Sequence, residues 1–352
     1  MIRRVIPQYK EEWFHSLKGY IEQYDFAHHY VIEELENKLK NYVGRKHALA
    51  VNSGTNGIFM CLHLIAYEGA EVIIPNWGYP GVANVCKAMK LNPIPVDLKE
   101  STFCMNPDEI RSKITKNTIA IVNTGNNGII GSDIEEIRDI AKENNLMFIE
   151  DCAPSLLQKY KGMNAGTFGD VSMFSFSPTK PVICGEGAIL TTDDDDLYEK
   201  LKIFRHMTYS SDDKNFKCFA DEANEGSLNC SLSPFLAAYV IPQLDIDNLN
   251  DIIAKRERVY ELYKKRLYIF GEDEVTNRYG TIMYMSDNAS KISRKFNLYK
   301  IEHRYKYYPL YDNNMPVSKK IFNNLVDLPS NYFLTEEQIN AICTIIKGVY
   351  GW

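Results

Sequence analysis

The sequence predicts an α/β protein, with a large unit built on a mostly parallel sheet covered by helices on both faces and a smaller C-terminal α+β unit. Three observations lead there. Between residues 30 and 192, short apolar runs alternate with stretches of helical spacing, the pattern of successive strand–helix–strand units. Beyond residue 195 that alternation gives way to a polar stretch and a long helical segment. The length, 352 residues, suits one large domain and a second, smaller one. The expected division is 1–240 and 241–352, with additional helices at the start of the large unit.

In chain order, residues 30–42 carry Val31, Ile32, Leu35 and Leu39 at helical spacing. Residues 47–51 are short and apolar and read as a buried strand, ending at Asn52-Ser53-Gly54-Thr55 before a helix over 58–66. A strand at 71–75, a helix at 83–89 and strands at 92–96 and 119–123 follow. Residues 134–143 are amphipathic and lead into a strand over 146–151. The segments 171–176 and 188–192 are rich in residues that favour strands. The acidic run at 193–196 reads as a solvated turn, and 212–226 as a polar, mobile loop. Helical spacing resumes over 233–267, interrupted near Pro242, because proline lacks the N–H that a helix interior needs. A strand at 280–286 and a helix at 336–349 complete the smaller unit.

Composition excludes several classes. Hydrophobic residues make up 45% and charged residues 24%, the balance of a globular protein. A formal net charge of −6 with no basic cluster argues against nucleic acid as a partner. No run approaches the roughly 20 apolar residues that a membrane helix needs, and the two arginines near the N-terminus are not followed by a signal-peptide core. The eight cysteines are scattered with no Cys-x-x-Cys pair, which reads as reduced intracellular thiols, with neither a metal site nor a disulfide framework. The expected location is the cytoplasm. Neither a G-x-G-x-x-G fingerprint nor a G-x-x-x-x-G-K-[ST] loop occurs, so a nicotinamide-dependent reductase and a P-loop enzyme lose support.

The segment richest in chemistry is Phe174-Ser175-Phe176-Ser177-Pro178-Thr179-Lys180, followed by Gly185-Glu186-Gly187-Ala188. A lysine just after a buried strand can be partly desolvated, which lowers its pKa and frees a neutral amine to attack an aldehyde. A lysine in a proline-containing loop is also, commonly, a solvent-facing charge. Asp151 ends the apolar strand Met147-Phe148-Ile149-Glu150-Asp151, and ligands of open α/β sheets sit at the carboxyl ends of strands. A carboxylate there suits either a helix N-cap or the partner of a pyridine nitrogen, which it would keep protonated. Asn52-Ser53-Gly54-Thr55 makes a strand-to-helix turn whose free N–H groups and hydroxyls favour an anion, or simply cap the helix. Tyr79, in Pro75-Asn76-Trp77-Gly78-Tyr79-Pro80, could cover an aromatic ring or serve ordinary packing.

The order of these motifs resembles the DegT/DnrJ/EryC1/StrS family of sugar aminotransferases, over nearly the whole chain. The most specific parts are Asn52-Ser53-Gly54-Thr55, Glu150-Asp151-Cys152-Ala153, and Ser175-Phe176 leading to Lys180 and Gly185-Glu186-Gly187. The resemblance implies the fold type I, aspartate-aminotransferase-like architecture and the cofactor pyridoxal 5'-phosphate. It implies Lys180 as the Schiff-base lysine and Asp151 as the partner of the pyridinium nitrogen. Gly54, Thr55 and Ser175 correspond to the phosphate-binding residues, and Tyr79 to the ring stacked on the cofactor. Gly226-Ser227-Leu228-Asn229 is similar to the segment whose asparagine reaches the neighbouring subunit's phosphate, so a homodimer with shared active sites is implied. The chain departs from the family pattern at Pro154, where Gln or His is usual, at Pro181 after the lysine, at Ser231 where Arg is frequent, and at Tyr311 where His is frequent.

The implied reaction takes an amino group, from L-glutamate, to a nucleotide-linked keto sugar, with Lys180 as both covalent anchor and acid–base group. Family members that dehydrate sugars carry His where Lys180 stands. The substrate expected from the resemblance is a UDP- or dTDP-linked 4-keto-6-deoxyhexose aminated at C4, giving a viosamine-type product. Amination at C3 is the nearest competitor, and a non-catalytic scaffold protein is the alternative of another class.

Overall fold

The computed structural model describes residues 1–6, 10–23, 30–206, 227–269, 281–303, 307–311 and 315–351. The polar stretch expected to be a loop at 212–226 lies outside them, as do Gly226 and Gly280.

Two helices open the chain, α1 (Glu11–Gln23) and α2 (Tyr30–Val43), and lead into β1 (His47–Val51). Alternating units follow: α3 (Gly54–His63), β2 (Glu71–Pro75), α4 (Gly81–Ala88), β3 (Asn92–Val96), α5 (Pro107–Lys113), β4 (Thr118–Thr124), α6 (Ile134–Glu143) and β5 (Met147–Asp151). A small hairpin, β6 (Lys159–Tyr160) with β7 (Met163–Asn164), precedes β8 (Val171–Ser175), β9 (Ala188–Thr192) and α7 (Asp195–Arg205). Helix α8 (Pro234–Val240), a 3-10 turn at Ile241–Leu244 and the long α9 (Ile246–Lys264) cross toward the C-terminal part. That part holds β10 (Met283–Met285), α10 (Ala289–Leu298), α11 (Pro316–Asn324), β11 (Leu325–Asp327) and α12 (Glu336–Lys347).

The seven-stranded sheet has the order β1-β9-β8-β5-β4-β2-β3. Parallel pairing joins β8, β5, β4, β2 and β3, and β9 runs antiparallel to both of its neighbours. Because side chains alternate across a strand, each strand feeds two cores. Ala48, Ala50, Ile73, Ile121, Phe174 and Ile189 face one apolar cluster with α2, α6 and α8. Leu49, Val51, Val72, Ile74, Val122 and Leu190 face the other, with α3, α4 and α7. Covering both faces accounts for the near-continuous apolar strands. A third cluster draws Val259, Tyr260 and Tyr263 of α9 together with α10, β11 and α12. Helix α9 therefore starts in the first core, through Leu249 and Ile252, and ends in the third.

The seven strands of the sheet lie where the sequence places them, to within a residue at either end. The acidic run at 193–196 is a helix start and not only a turn: the Asp194 carboxylate accepts from Leu197 N–H at 3.0 Å, and Asp195 and Asp196 sit in the first turn of α7. Negative charge at that position is favourable, since the helix dipole presents its positive end there. At the far end of α7, Arg205 forms a buried ion pair with Glu36 of α2. The long helical stretch is indeed interrupted at Pro242, by the 3-10 turn.

Candidate active site

The strand ends build the site. Thr124 and Asp151 are register partners at the carboxyl ends of β4 and β5, and Ser175 ends β8 beside them. Ligands of such sheets collect at this edge. A cavity of about 420 Å³ opens there, within the range that suits a cofactor-sized molecule. Its wall includes Gly54, Thr55, Tyr79, Asp151, Ser175 and Lys180. Asn229, the seventh residue singled out from the sequence, is outside this wall: it is exposed, and its Oδ1 accepts from Ser231 N–H at 3.3 Å.

Asp151 lies at the bottom, 7% exposed. Its Oδ1 accepts from Ala153 N–H at 3.1 Å and its Oδ2 from the Thr124 hydroxyl at 3.4 Å. Burial raises its pKa above the ordinary carboxylate value, opposed by the Ala153 hydrogen bond, the positive charge of Lys180 and the Thr124 hydroxyl. A cation within the cavity would pull it back toward ionisation. Lys180 and Asp151 line the same cavity.

Lys180 is carried by the connection between β8 and β9. The connection is closed by Phe176 N–H to Gly187 C=O at 2.8 Å and Cys184 N–H to Phe176 C=O at 2.9 Å. Lys180 N–H bonds Ser177 C=O at 3.0 Å, forming a turn that brings the lysine back over the strand end. The return at Gly185-Glu186-Gly187 requires its glycines. Gly187 has φ +156, and a Cβ on it would come within 2.9 Å of both Cys184 Sγ and a Leu232 methyl. This explains why the lysine motif carries a glycine pair several residues downstream.

The turn at Asn52-Ser53-Gly54-Thr55 starts α3, with the Ser53 hydroxyl accepting from Asn56 N–H at 3.1 Å. Ser53, Thr55, Ser175 and Ser177 line the cavity around that helix start, a set of residues that suits a phosphate. Gly54 permits the close approach: a Cβ there would sit 2.7 Å from Met173 Sδ. Tyr79 stands at the rim, 63% exposed, with its ring packed over Gly81, whose Cβ would come 2.8 Å from Tyr79 Cε1. An aromatic side chain exposed to this extent beside a cavity has a face available to a flat ligand. The donor set, an anion cradle, an acid at depth, a lysine and an exposed ring, fits pyridoxal 5'-phosphate.

The four departures noted in the sequence fall in two groups. Pro154 lines the cavity and Pro181 does also. Ser231 lies elsewhere, bonded to the His206 ring at 3.2 Å, and Tyr311 packs beneath Lys87, whose Nζ is 5.4 Å from the ring centre. Sequence reasoning missed Arg4, Thr124, Asn126 and Arg256, all of which line the cavity. Thr124 and Asn126 had a signal, since Thr124 ends β4, the strand next to β5, and Asn126 follows two residues later. Arg4 and Arg256 had none.

Residues 7–347 match the sequence pattern of the DegT/DnrJ/EryC1/StrS aminotransferase family. The chain belongs to that family. DegT-family aminotransferases use pyridoxal 5'-phosphate and act on nucleotide sugars. Among similar proteins, GDP-perosamine synthase of Escherichia coli O157:H7 is 29% identical over 343 residues, covering 91% of this chain and 90% of that one. UDP-2-acetamido-2-deoxy-3-oxo-D-glucuronate aminotransferase of Pseudomonas aeruginosa is 27% identical, covering 90% of each. In fold, the chain superposes on PseC of Helicobacter pylori with a TM-score of 0.88 over the whole of both chains, at 19% identity. This places the DegT-family chain among fold type I structures. Among the described residues no three or more His, Cys, Asp or Glu side chains are grouped to hold a metal, and no helix is long and apolar enough to cross a membrane.

Tyr79→Ala should weaken cofactor binding by about tenfold, the loss of one stacked aromatic contact, with little change in turnover once the cofactor saturates. Titration of the cofactor-free protein, followed by visible absorbance, measures it. An unchanged affinity would mean the ring does not cover the cofactor.

Proposed function

We propose that this cavity transfers an amino group from L-glutamate to C4 of a nucleotide-linked 4-keto-6-deoxy sugar, giving a 4-amino-4,6-dideoxy sugar of the viosamine type. The observation that carries the reading is the meeting of Lys180 and Asp151 in one cavity whose wall also holds Gly54, Thr55 and Ser175. When bound, the cofactor supplies an electron-accepting ring that carries the amino group between the two substrates. The Lys180 amine would anchor the cofactor and, once displaced by the donor, its neutral Nζ would accept the proton that the donor carbon gives up and then hand that proton on. The Asp151 carboxylate holds the proton on the ring nitrogen. The hydroxyls of Thr55 and Ser175 and the free N–H groups at the start of α3 hold the phosphate. In this reading residues 1–240 carry the cofactor and 241–352 close the cavity over the sugar. Two copies pair as a homodimer, with Asn229 of each reaching the other's phosphate.

UDP and dTDP are the nucleotides first expected, and the E. coli relative's name adds GDP. The name of the P. aeruginosa relative, a 3-oxo-sugar aminotransferase, favours C3 as the second reading. Incubation with glutamate and a panel of UDP-, dTDP- and GDP-linked 3-keto and 4-keto sugars, with products read by mass and NMR, separates the two. A 4-amino product is expected. Amination of 3-keto sugars alone would replace the first reading by the second.

A further inference from the structure

The loop after β2 holds more than Tyr79. Asn76 is fully buried just past the strand end, and its N–H donates to Val96 C=O at 2.9 Å. Its two oxygens are taken by the C-terminal part of the chain. The backbone C=O accepts from Leu310 N–H at 2.7 Å, and Oδ1 accepts from Tyr311 N–H at 2.9 Å. Trp77, also buried, forms an isolated antiparallel bridge with Pro309, and its Nε1–H donates to Tyr307 C=O at 3.1 Å. The Trp77 and Tyr307 rings meet edge to face, 5.9 Å apart. Residues 307–311 thus run as a strap along residues 76 and 77. Farther on, the buried Asp97 carboxylate accepts from Val317 N–H, Ser318 N–H and the Ser318 hydroxyl at 2.9, 2.9 and 2.7 Å, which fastens the start of α11 beyond the end of β3.

The same two residues support the cavity from behind. Trp77 C=O accepts from Asn126 Nδ2 at 3.1 Å. Gly78, at φ +146, leaves the room that Asn126 Oδ1 fills, since a Cβ there would lie 2.7 Å from it, and Tyr79 follows. Asn126, Tyr79 and Tyr307 all belong to the cavity wall, and Asn76 and Trp77 do not. The strap lies where the cavity meets the surface: Tyr79 stands at the rim, and Tyr308, beside Tyr307, is 75% exposed. The Asn76 amide is used on one side only. Its Nδ2 is buried with no hydrogen-bond partner among the described residues, a state that costs stability, so what the side chain contributes is the oxygen that holds Tyr311.

We propose that Asn76 and Trp77 are positioning residues for the keto-sugar substrate: they clasp the strap 307–311 to the loop of Tyr79, so that Tyr307 stands preformed in the wall that the sugar meets. The inference rests on the aminotransferase reading, under which glutamate and a nucleotide-linked sugar enter this cavity in turn. Glutamate is short and reacts beside Lys180. A nucleotide-linked sugar is several times longer and must extend from Lys180 to the mouth, where the strap lies. A strap fixed before binding spares the sugar the cost of ordering it. The bonds of the clasp involve neither Lys180 nor Asp151, so the clasp bears on sugar binding and not on the proton transfers.

The test compares cofactor-loaded wild type with Asn76→Leu, which removes the oxygen that holds Tyr311, and Trp77→Phe, which removes the Nε1–H that holds Tyr307. The visible absorbance of lysine-bound cofactor reads the two half-reactions separately. Its loss is followed against glutamate concentration, and its return against the concentration of whichever UDP-, dTDP- or GDP-linked keto sugar the wild type aminates. In both variants the half-saturating keto-sugar concentration should rise about fivefold or more, the effect of one lost hydrogen bond, and that of glutamate by less than about twofold. The limiting rate of each half should hold. The Tm of cofactor-free Asn76→Leu should stay close to wild type, because the substitution also removes the unpaired Nδ2. Weakening of both arms together would make the clasp a general support of the fold, and an unchanged sugar arm would separate the strap from the sugar; either result overturns the proposal. Should the clasp variants fail to load cofactor, Tyr307→Ala decides by the same split between the arms. A wild type that takes up cofactor but responds to no amino donor and no keto sugar would instead refute the aminotransferase reading, and is recognised without any variant.

Discussion

Lys180→Ala should lower turnover by more than about 10⁴-fold, because in the proposed mechanism one side chain supplies both the covalent anchor and the acid–base group. The protein should also lack the visible absorbance of lysine-bound cofactor, while its Tm without cofactor changes little. The connection that carries the lysine is closed by Phe176 N–H to Gly187 C=O and Cys184 N–H to Phe176 C=O and is tied to the Gln243 side chain through Ile183, bonds that the substitution leaves in place. Measuring both properties matters. Lost turnover with normal absorbance would place the covalent link on another lysine. Lost absorbance with a large fall in Tm would mean that the side chain holds the loop together.

The second largest effect is expected at Asp151. Asp151→Asn keeps the shape of the side chain and the contacts with Ala153 N–H and Thr124 but removes the charge that, in the proposed mechanism, keeps the ring nitrogen protonated. Loss of one preorganised electrostatic group costs on the order of 10²–10³-fold in turnover. The same substitution should stabilise the cofactor-free protein. Burial raises the pKa of Asp151, so the folded state binds its proton more tightly than the unfolded state does. Stability from this group is therefore present at acid pH and lost as pH rises from the unfolded value through the folded one. At neutral pH the neutral amide avoids that loss, and the cofactor-free variant should melt about 1–3 °C higher than wild type. The difference should shrink toward pH 4. A variant less stable than wild type at neutral pH would show that the buried carboxylate is a net support of the fold.

Much of this fold can be read from the sequence because its strands are buried on both faces. A short apolar run such as Ala48-Leu49-Ala50-Val51 between polar turns has few alternatives, and the sheet follows from seven such runs. Helices were less legible where their signal is not apolar. Helix α7 begins with acids that cap and stabilise it, and those acids look like a solvated turn. Helix α5 has seven residues, with Asn106 as its cap and Pro107 at its first position, too short for periodicity to show. Helix α11 buries only Ser318 and Ile321, too few apolar positions to show a period.

The site divides in the same way. Gly54, Asp151, Ser175 and Lys180 lie on or next to strand ends, so local pattern and position in the sheet identify them together. Arg4 and Arg256 line the cavity only because the N-terminal segment is hydrogen-bonded to the C-terminal part and α9 bridges two cores. No local pattern records that residues so far apart in the chain line one cavity. What the sequence conveys of the chemistry is thus the half that one contiguous sheet supplies.

Borohydride reduction of the cofactor-loaded protein, followed by proteolysis and peptide mass mapping, tests the central claim most directly. A single pyridoxyl adduct is expected, on the peptide containing Lys180. An adduct on any other lysine, or none from a protein that has taken up the cofactor, would contradict it.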